Sequence, residues 1–158
     1  MPGKTNENAT PQILGQKPAD YAGDVSVDEA WRVLSGNPDA VLVDVRTRAE
    51  WSFVGVPDLG SIGKEPLLSE WQVFPAMSLN PSFVADVAGA LGEGRKSAPV
   101  LFLCRSGARS KAAAVALTQA GFGACYNVVG GFEGDLDETR HRGRRTGWKA
   151  GGLPWVQS

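Results

Sequence analysis

Short segments with strand character, alternating with segments of helical character, constrain the fold of this chain more than any other feature. The strand-like segments cover residues 22–25, 40–45, 99–103 and 124–129, and the longer ones are mostly apolar and bounded by turn-forming residues. Such segments are typical of parallel strands that are buried on both faces. Helical patterns cover residues 27–34 and 110–120. The alternation predicts an α/β domain with a central parallel sheet and helices on both faces.

Individual residues mark the boundaries of these two helices. Ser26 suits the N-cap position, and Asp28 and Glu29 follow it in the first turn, where acidic side chains are favoured by the helix dipole. Gly121 follows the second helix at the C′ position, where glycine commonly ends a helix. The first helix is therefore expected to begin after Ser26, and the second to end before Gly121.

Composition and charge exclude several classes of protein. The 158 residues are 42% hydrophobic and 21% charged, as in a soluble globular protein, and the net charge of -1 gives no general attraction to nucleic acid or to a membrane. Neither a membrane-spanning stretch nor a signal-peptide pattern is visible, so we expect a cytoplasmic protein. Two cysteines and one histidine, without the spacing of metal ligands, predict no metal site, and we expect no cofactor.

The chain divides by composition into two parts. Residues 1–20 are rich in Pro, Asn, Gln, Thr and Lys, and they form either a mobile tail or an arm that lies on the domain surface. Their composition favours the tail. Residues 21–158 are expected to form one domain, which is long enough for an ordinary hydrophobic core.

Cys104 occupies the position in the chain that is most informative about function. Residues 99–110 read PVLFLCRSGARS, so the thiol lies between the end of an apolar strand and the start of a helix. Backbone N–H groups and the helix dipole favour an anion there, including the nucleophilic thiolate. Arg105 and Arg109 add positive charges that suit a doubly charged anionic substrate. An inert core cysteine is the alternative, but it would not need this electropositive surrounding.

Four segments of the sequence resemble the rhodanese (sulfurtransferase) family. The segment CRSGARS, residues 104–110 and hereafter the cysteine loop, resembles the active-site loop of that family. The other matching segments are LVDVR at 42–46 with Glu50-Trp51, VVGGF at 128–132, and GLP at 152–154. The resemblance extends from about Asp24 to Trp155. It implies a rhodanese-like α/β fold with a central parallel sheet of about five strands and helices on both faces.

The resemblance also implies the roles of individual residues. Cys104 would be the catalytic nucleophile, and the substrate-binding residues would be Arg105, Ser106, Gly107, Ala108, Arg109 and Ser110. The hydroxyls of Ser106 and Ser110 are expected to donate hydrogen bonds within the cysteine loop, although Ser110 could equally be a plain helix cap. Asp44 and Arg46 would support the site from the neighbouring strand, for example through an ion pair that fixes the adjoining loop.

The implied reaction moves a sulfane sulfur from thiosulfate or a similar small anionic donor to a thiol or protein-thiol acceptor, through a persulfide on Cys104. The family's cysteine-dependent phosphatases have one residue more between the cysteine and the second arginine, which widens the loop for a phosphate. The shorter loop of this chain therefore favours sulfur transfer. Two alternatives remain open: a non-catalytic rhodanese-like binding or regulatory module, and a cysteine-dependent phosphatase or arsenate reductase.

Two segments depart from the family's pattern. Residues 54–80 lack the expected His-Ile-Pro-Gly-Ala-like turn, and residues 132–147 contain a basic run that comprises Arg140, His141, Arg142, Arg144 and Arg145. We interpret that run as a solvated loop rather than a nucleic-acid patch. A third possibility is that it borders the active-site mouth and helps to select an anionic donor or a partner. Cys125 is expected to be a core residue rather than a resolving thiol.

Overall fold

A computed structural model describes residues 10–157 of the chain. Its central sheet contains five parallel strands, β1 (Gly23–Val25), β2 (Val41–Asp44), β4 (Leu67–Leu68), β7 (Val100–Leu103) and β8 (Cys125–Val128), in the order β1-β8-β7-β2-β4. The helices are α1 (Val27–Gly36), α2 (Arg48–Phe53), α3 (Phe83–Leu91), α4 (Ala108–Gln119) and α5 (Gly147–Ala150). The predicted α/β architecture with a parallel sheet is confirmed.

Helices cover both faces of the sheet because successive strand residues point to opposite sides. Val43 and Phe102 pack with α3 and α4 on one face, whereas Leu42 and Leu101 pack with α1 and α5 on the other. All of these side chains are fully buried. Such two-sided burial is the physical reason for the mostly apolar composition of the central strands. The functional segments therefore begin from a rigid sheet.

The predicted helix boundaries agree with the structure to within two residues. The Ser26 hydroxyl accepts a hydrogen bond from the backbone N–H of Glu29 at 3.0 Å, as an N-cap does. Gly121 lies just beyond the end of α4 with a φ of 105°, in the positive region that favours glycine. The helix α4 begins at Ala108 rather than at Ser110, so the last three residues of the cysteine loop form its first turn.

The region between α2 and α3 contains elements that the sequence analysis did not predict. The short strand β4 completes the sheet by pairing with β2, with Val43 opposite Leu67. An antiparallel hairpin of β5 (Gln72–Val73) and β6 (Ser78–Leu79) follows it, and residues 73–79 of this hairpin are all exposed. A further strand, β3 (Val56–Pro57), pairs with the C-terminal strand β9 (Trp155–Val156).

The first described residues lie against the domain. The backbone N–H of Leu14 donates to the carbonyl of Asp24 at 2.7 Å, and Ile13 packs against the core face that includes α1. Residues 13 and 14 therefore contact the domain, whereas residues 1–9, which the tail-or-arm prediction also covers, lie outside the described residues. Within residues 10–157, no helix has the length and apolar character needed to cross a membrane.

Candidate active site

Two hydrogen-bond donors converge on the sulfur of Cys104 at the end of β7. The backbone N–H of Gly107 lies 3.1 Å from Sγ, and the Ser110 hydroxyl lies 3.2 Å from it. Gly107 precedes the first residue of α4, so the sulfur also lies at the positive end of that helix dipole. Cys104 is only 1% exposed, so its sulfur is held among donors rather than in bulk water. This arrangement stabilises negative charge on the sulfur.

A chain of buried and half-buried polar side chains orients the Ser110 hydroxyl. This hydroxyl lies 2.6 Å from Oδ1 of Asn127, whose amide nitrogen donates to Asp24 at 3.1 Å. Asp24 in turn accepts a hydrogen bond from the hydroxyl of Tyr21 at 2.7 Å. Because a hydroxyl carries a single proton, Ser110 can donate to only one acceptor at a time among Asn127, the sulfur of Cys104 and the carbonyl of Gly107, which lies 3.2 Å away. Asn127, which is itself bonded to Asp24, therefore fixes the position of this hydroxyl beside the sulfur.

The glycine pair after β8 allows the backbone to pass directly beside the cysteine loop. Gly131 has a φ of 62°, and a Cβ atom there would lie 2.4 Å from the carbonyl oxygen of Cys104. The N–H of Phe132 donates to that carbonyl at 2.8 Å, and the N–H groups of Glu133 and Gly134 donate to the carbonyl of Arg105 at 3.0 Å. Only glycine fits this close approach. Residues 131–134 therefore hold the backbone of Cys104 and Arg105 in place.

Arg109 forms a bidentate ion pair with Glu50, which lies in α2. Its two terminal nitrogens are 2.8 and 2.9 Å from the two carboxylate oxygens. Glu50 also belongs to a capping box with Thr47. Burial would raise the pKa of Glu50, but the hydrogen bonds from Arg109 and Thr47 outweigh it and lower the pKa to about 2. The charge of Arg109 is thus balanced before any substrate binds.

This ion pair predicts a specific loss of stability in acid. Because folding lowers the pKa of Glu50 from 4.5 to about 2, its stabilising contribution is present above pH ~4.5 and is lost as the pH falls through about 2. Urea unfolding at pH 6, 4 and 3 should therefore show a steeper loss of the free energy of unfolding in the wild type than in Glu50→Gln. Glu138→Gln, on an exposed loop residue, is the matched control and should retain the wild-type slope. Equal slopes in the wild type and Glu50→Gln would contradict the prediction.

Asp44 and Arg46 form a fully buried ion pair at the end of β2. The carboxylate oxygens of Asp44 lie 2.7 and 2.9 Å from two guanidinium nitrogens, and Arg46 also donates to the carbonyl of Gly55 at 2.8 Å. The guanidinium lies 4.2 Å from the centre of the Phe132 ring. Because the N–H of Phe132 donates to the carbonyl of Cys104, a single residue connects this ion pair with Cys104.

An open cavity of about 500 Å³ lies above Cys104. The cysteine loop contributes Arg105, Ser106, Ala108 and Arg109 to its wall, in addition to Cys104 itself. Gly107 and Ser110 lie behind this wall and contact the sulfur instead. The structure thus brings the predicted residues of the cysteine loop together around the sulfur of Cys104, and it places the ion pair of Asp44 and Arg46 behind them.

Segments outside the cysteine loop supply the remaining walls, and the sequence analysis identified few of these residues. Gln72 and Met77 come from the β5–β6 hairpin, whereas Glu133 and Arg142 come from the segment after β8. Arg142 belongs to the basic run. Its place in this wall corresponds to the third possibility raised for that run, namely that it borders the active-site mouth. Glu50 belongs to the Glu50-Trp51 pair that resembles the rhodanese family, but nothing in the sequence indicated that it pairs with Arg109.

The other reactive side chains lie away from this cavity. His141 is exposed, and its Nδ1 lies 2.8 Å from the hydroxyl of Thr139. Cys125 is buried in the core, and burial raises the pKa of its thiol to about 11. Such a thiol is a poor nucleophile at neutral pH. In residues 10–157, no group of His, Cys, Asp and Glu side chains is arranged to hold a metal ion.

Comparisons with known proteins identify relatives by sequence and by fold. An uncharacterized protein of Rickettsia rickettsii, the RP600 homolog, is 40% identical over 127 residues, which cover 80% of this chain and 91% of that protein. RP600 of Rickettsia prowazekii is 37% identical over the same length. The crystal structure of Rv0390 from M. tuberculosis superposes with a TM-score of 0.79 at 52% identity, covering 87% of this chain and 99% of that chain.

A more distant structure shares the fold alone. The solution structure of a polysulfide-sulfur transferase homodimer from Wolinella succinogenes superposes with a TM-score of 0.53 at 19% identity, covering 99% of this chain and 86% of that one. The model of one family, described as the Rhodanese-like domain, matches residues 26–138 and so includes the cysteine loop and both supporting residues. The chain therefore belongs to the rhodanese-like domain family.

Proposed function

We propose that this protein is a sulfurtransferase that moves a sulfane sulfur from thiosulfate or a similar donor to a thiophilic acceptor through a persulfide on Cys104. The observation that carries the proposal is the convergence of the Gly107 N–H and the Ser110 hydroxyl on Sγ, at the base of a cavity bordered by arginines. These donors stabilise both the attacking thiolate and the charged persulfide that replaces it.

The first half-reaction loads the enzyme. The Cys104 thiolate attacks the outer sulfur of thiosulfate, a bond forms between Sγ and that sulfur, and the sulfur–sulfur bond of the donor breaks. Sulfite leaves with the electron pair of the broken bond, and the persulfide keeps one negative charge. Arg105 is exposed at the cavity, where its guanidinium suits the oxygens of the donor. No general base is needed once the thiolate is present.

The second half-reaction unloads the enzyme. An acceptor thiolate, or cyanide in an assay, attacks the terminal sulfur of the persulfide. The bond between that sulfur and Sγ breaks, and Cys104 is released as a thiolate. Because the sulfur lies at the base of an open cavity, an acceptor must reach inward, which suits a small thiol or a thiol on a protruding protein segment. The proposed function therefore includes a thiol acceptor of this kind.

The geometry favours sulfur transfer over the two other candidate functions. The cysteine loop is one residue shorter than the phosphatase loop, and the N–H group of Gly107 within it already binds Sγ at 3.1 Å, which suits a single added sulfur. A non-catalytic module would not need a cysteine at the base of a cavity, whereas Cys104 is present there with its donors in place. Sulfur transfer therefore accounts for the most features of the site.

Mass spectrometry of the intact protein tests the proposal. Incubation with thiosulfate should add one sulfur, roughly 32 Da, and peptide mapping should place it on Cys104 and not on Cys125, because only the first thiol lies in the cavity and is held among donors. Cyanide should remove the added sulfur. Cys125→Ser is the matched control and should load normally. An unmodified Cys104 under excess thiosulfate and under excess organic persulfide would overturn the proposal.

A further inference from the structure

The cavity above Cys104 is larger than an inorganic sulfur donor requires. Its volume of about 500 Å³ lies within the range of ~300–1,000 Å³ that is typical of sites for organic ligands. A thiosulfate ion would fill only a small part of this space. The walls beyond the cysteine loop carry charged side chains of both signs, Glu133 and Arg142. These charges indicate which charged groups a larger ligand would carry.

The charged side chains of the cavity that remain available to a ligand include both positive and negative groups. Arg109 is paired with Glu50, whereas Arg105, Arg142 and Glu133 form no ion pair with another residue of the part that the structure describes. Glu133 interacts at longer range with Lys149, whose ammonium donates to the carbonyl of Val54 at 3.0 Å instead. The cavity thus offers cationic groups together with one carboxylate, an unfavourable combination for a ligand that carries only negative charge.

Backbone hydrogen bonds fix Glu133 and Arg142 relative to the nucleophile. The N–H of Glu133 donates to the carbonyl of Arg105, and the carbonyl of Glu133 accepts the N–H of Gly143 at 2.7 Å. The guanidinium of Arg142 donates to the carbonyl of Gly134 at 2.6 Å. Both side chains are half-buried rather than free at the surface. They are therefore built into the cavity wall.

We propose that the preferred sulfur donor is a low-molecular-weight organic persulfide that carries both a carboxylate and an ammonium group, as an amino-acid-derived persulfide does. Arg142 binds the carboxylate and Glu133 binds the ammonium, while the persulfide end reaches Cys104. Glu133 disfavours thiosulfate, which has no positive group. The inference rests on the proposed function, since it names the substrate class of the same site.

The transfer step balances without any further reactant. The Cys104 thiolate attacks the outer sulfur of the persulfide, and a bond forms between Sγ and that sulfur. The sulfur–sulfur bond of the donor breaks, and the donor leaves as its thiolate with the electron pair. The protein keeps the transferred sulfur with its hydrogen as the Cys104 persulfide. The number of sulfane sulfurs, the charge and the oxidation level are unchanged.

Three related donors distinguish the contribution of the ammonium group from that of the carboxylate. Cysteine persulfide carries both the ammonium and the carboxylate, N-acetylcysteine persulfide lacks the ammonium, and cysteamine persulfide lacks the carboxylate. The measurement is kcat/KM for formation of the Cys104 persulfide, with thiosulfate as a fourth donor. The wild type should use cysteine persulfide with the highest kcat/KM of the four, because only this donor satisfies both wall charges.

Two variants assign the charges to residues. Glu133→Gln should lower kcat/KM about ten- to a hundredfold for the two ammonium-bearing donors, but not for N-acetylcysteine persulfide or thiosulfate. Arg142→Gln should lower kcat/KM to a similar extent for the two carboxylate-bearing donors, but not for cysteamine persulfide. Glu138→Gln and Arg140→Gln change exposed residues of the same segment and should leave all four values unchanged.

The outcomes separate this inference from the proposed function. Suppose that several donors load Cys104, but Glu133→Gln changes kcat/KM equally for donors with and without the ammonium. This result would overturn the inference and leave sulfur transfer as the proposed function. A wild type that prefers thiosulfate would overturn it as well. If no donor loads Cys104, the proposed function itself fails. Unchanged melting temperatures of both variants would show that altered kinetics do not reflect a damaged fold.

Discussion

Cys104→Ser is expected to abolish sulfur transfer, with turnover lower by roughly a thousandfold or more. A serine hydroxyl is far less ionised than a thiol at neutral pH and cannot carry a sulfane sulfur as a persulfide. Serine is close to cysteine in size and can accept the same hydrogen bond from the Gly107 N–H, so the fold should persist. The measurement is the formation of thiocyanate from thiosulfate and cyanide, together with the intact mass after incubation with thiosulfate.

The matched control for this variant is the other cysteine of the chain. Cys125→Ser changes a thiol that lies in the core and outside the cavity, and it should retain most of the activity. Residual turnover in Cys104→Ser at a tenth of the wild-type rate would contradict the assignment of the nucleophile. Complete loss of activity in a folded Cys125→Ser would show that the second thiol takes part in the reaction.

The second large effect concerns stability, at the buried ion pair of Asp44 and Arg46. Asp44→Ala would leave the guanidinium of Arg46 fully buried without its counter-charge, and breaking such a pair typically costs about 3–5 kcal/mol in the free energy of unfolding. The bonds of Arg46 to the carbonyl of Gly55 and to the ring of Phe132 cannot replace a carboxylate. Urea unfolding at neutral pH measures the loss.

Two further variants separate the charge effect from ordinary loss of contacts. Asp39→Ala removes an exposed carboxylate just before β2 and should change the free energy of unfolding by less than ~0.5 kcal/mol. The double variant Asp44→Ala with Arg46→Met removes both charges and should recover part of the loss, because no uncompensated charge remains. An Asp44→Ala protein as stable as the wild type would show that water reaches Arg46.

The fold could be predicted in its central part because the central strands carry strong local signals. The segments that became β2, β7 and β8 are apolar and bounded by turns, and Ser26 and Gly121 mark helix ends through their own chemistry. The short strand β4 gave no such signal, since it is only two residues long and depends on its pairing with β2. The β5–β6 hairpin was missed for a similar reason, because its exposed apolar residues follow no alternating pattern.

The site divides in the same way between local and long-range features. The position of Cys104 between a strand and a helix was visible in consecutive residues, and so was the cysteine loop. The pairing of Arg109 with Glu50 joins residues that are far apart in the chain, and no local pattern records it. The contact between Ser110 and Asn127 is of the same kind. Sequence patterns therefore identified Cys104 as the candidate nucleophile but not the long-range contacts that surround it.

The strand order of the sheet has a consequence for the synthesis of this protein. The first strand pairs with the last core strand, with Gly23 opposite Tyr126, so partners about a hundred residues apart must both exist before the sheet can close. At translation rates of ~5–20 residues per second, the first strand waits roughly 5–20 s for its partner. Cys104 is also made before Asn127 and Phe132, which complete its surroundings. In a nascent chain the contacts around Cys104 can therefore form completely only after translation has passed the last core strand.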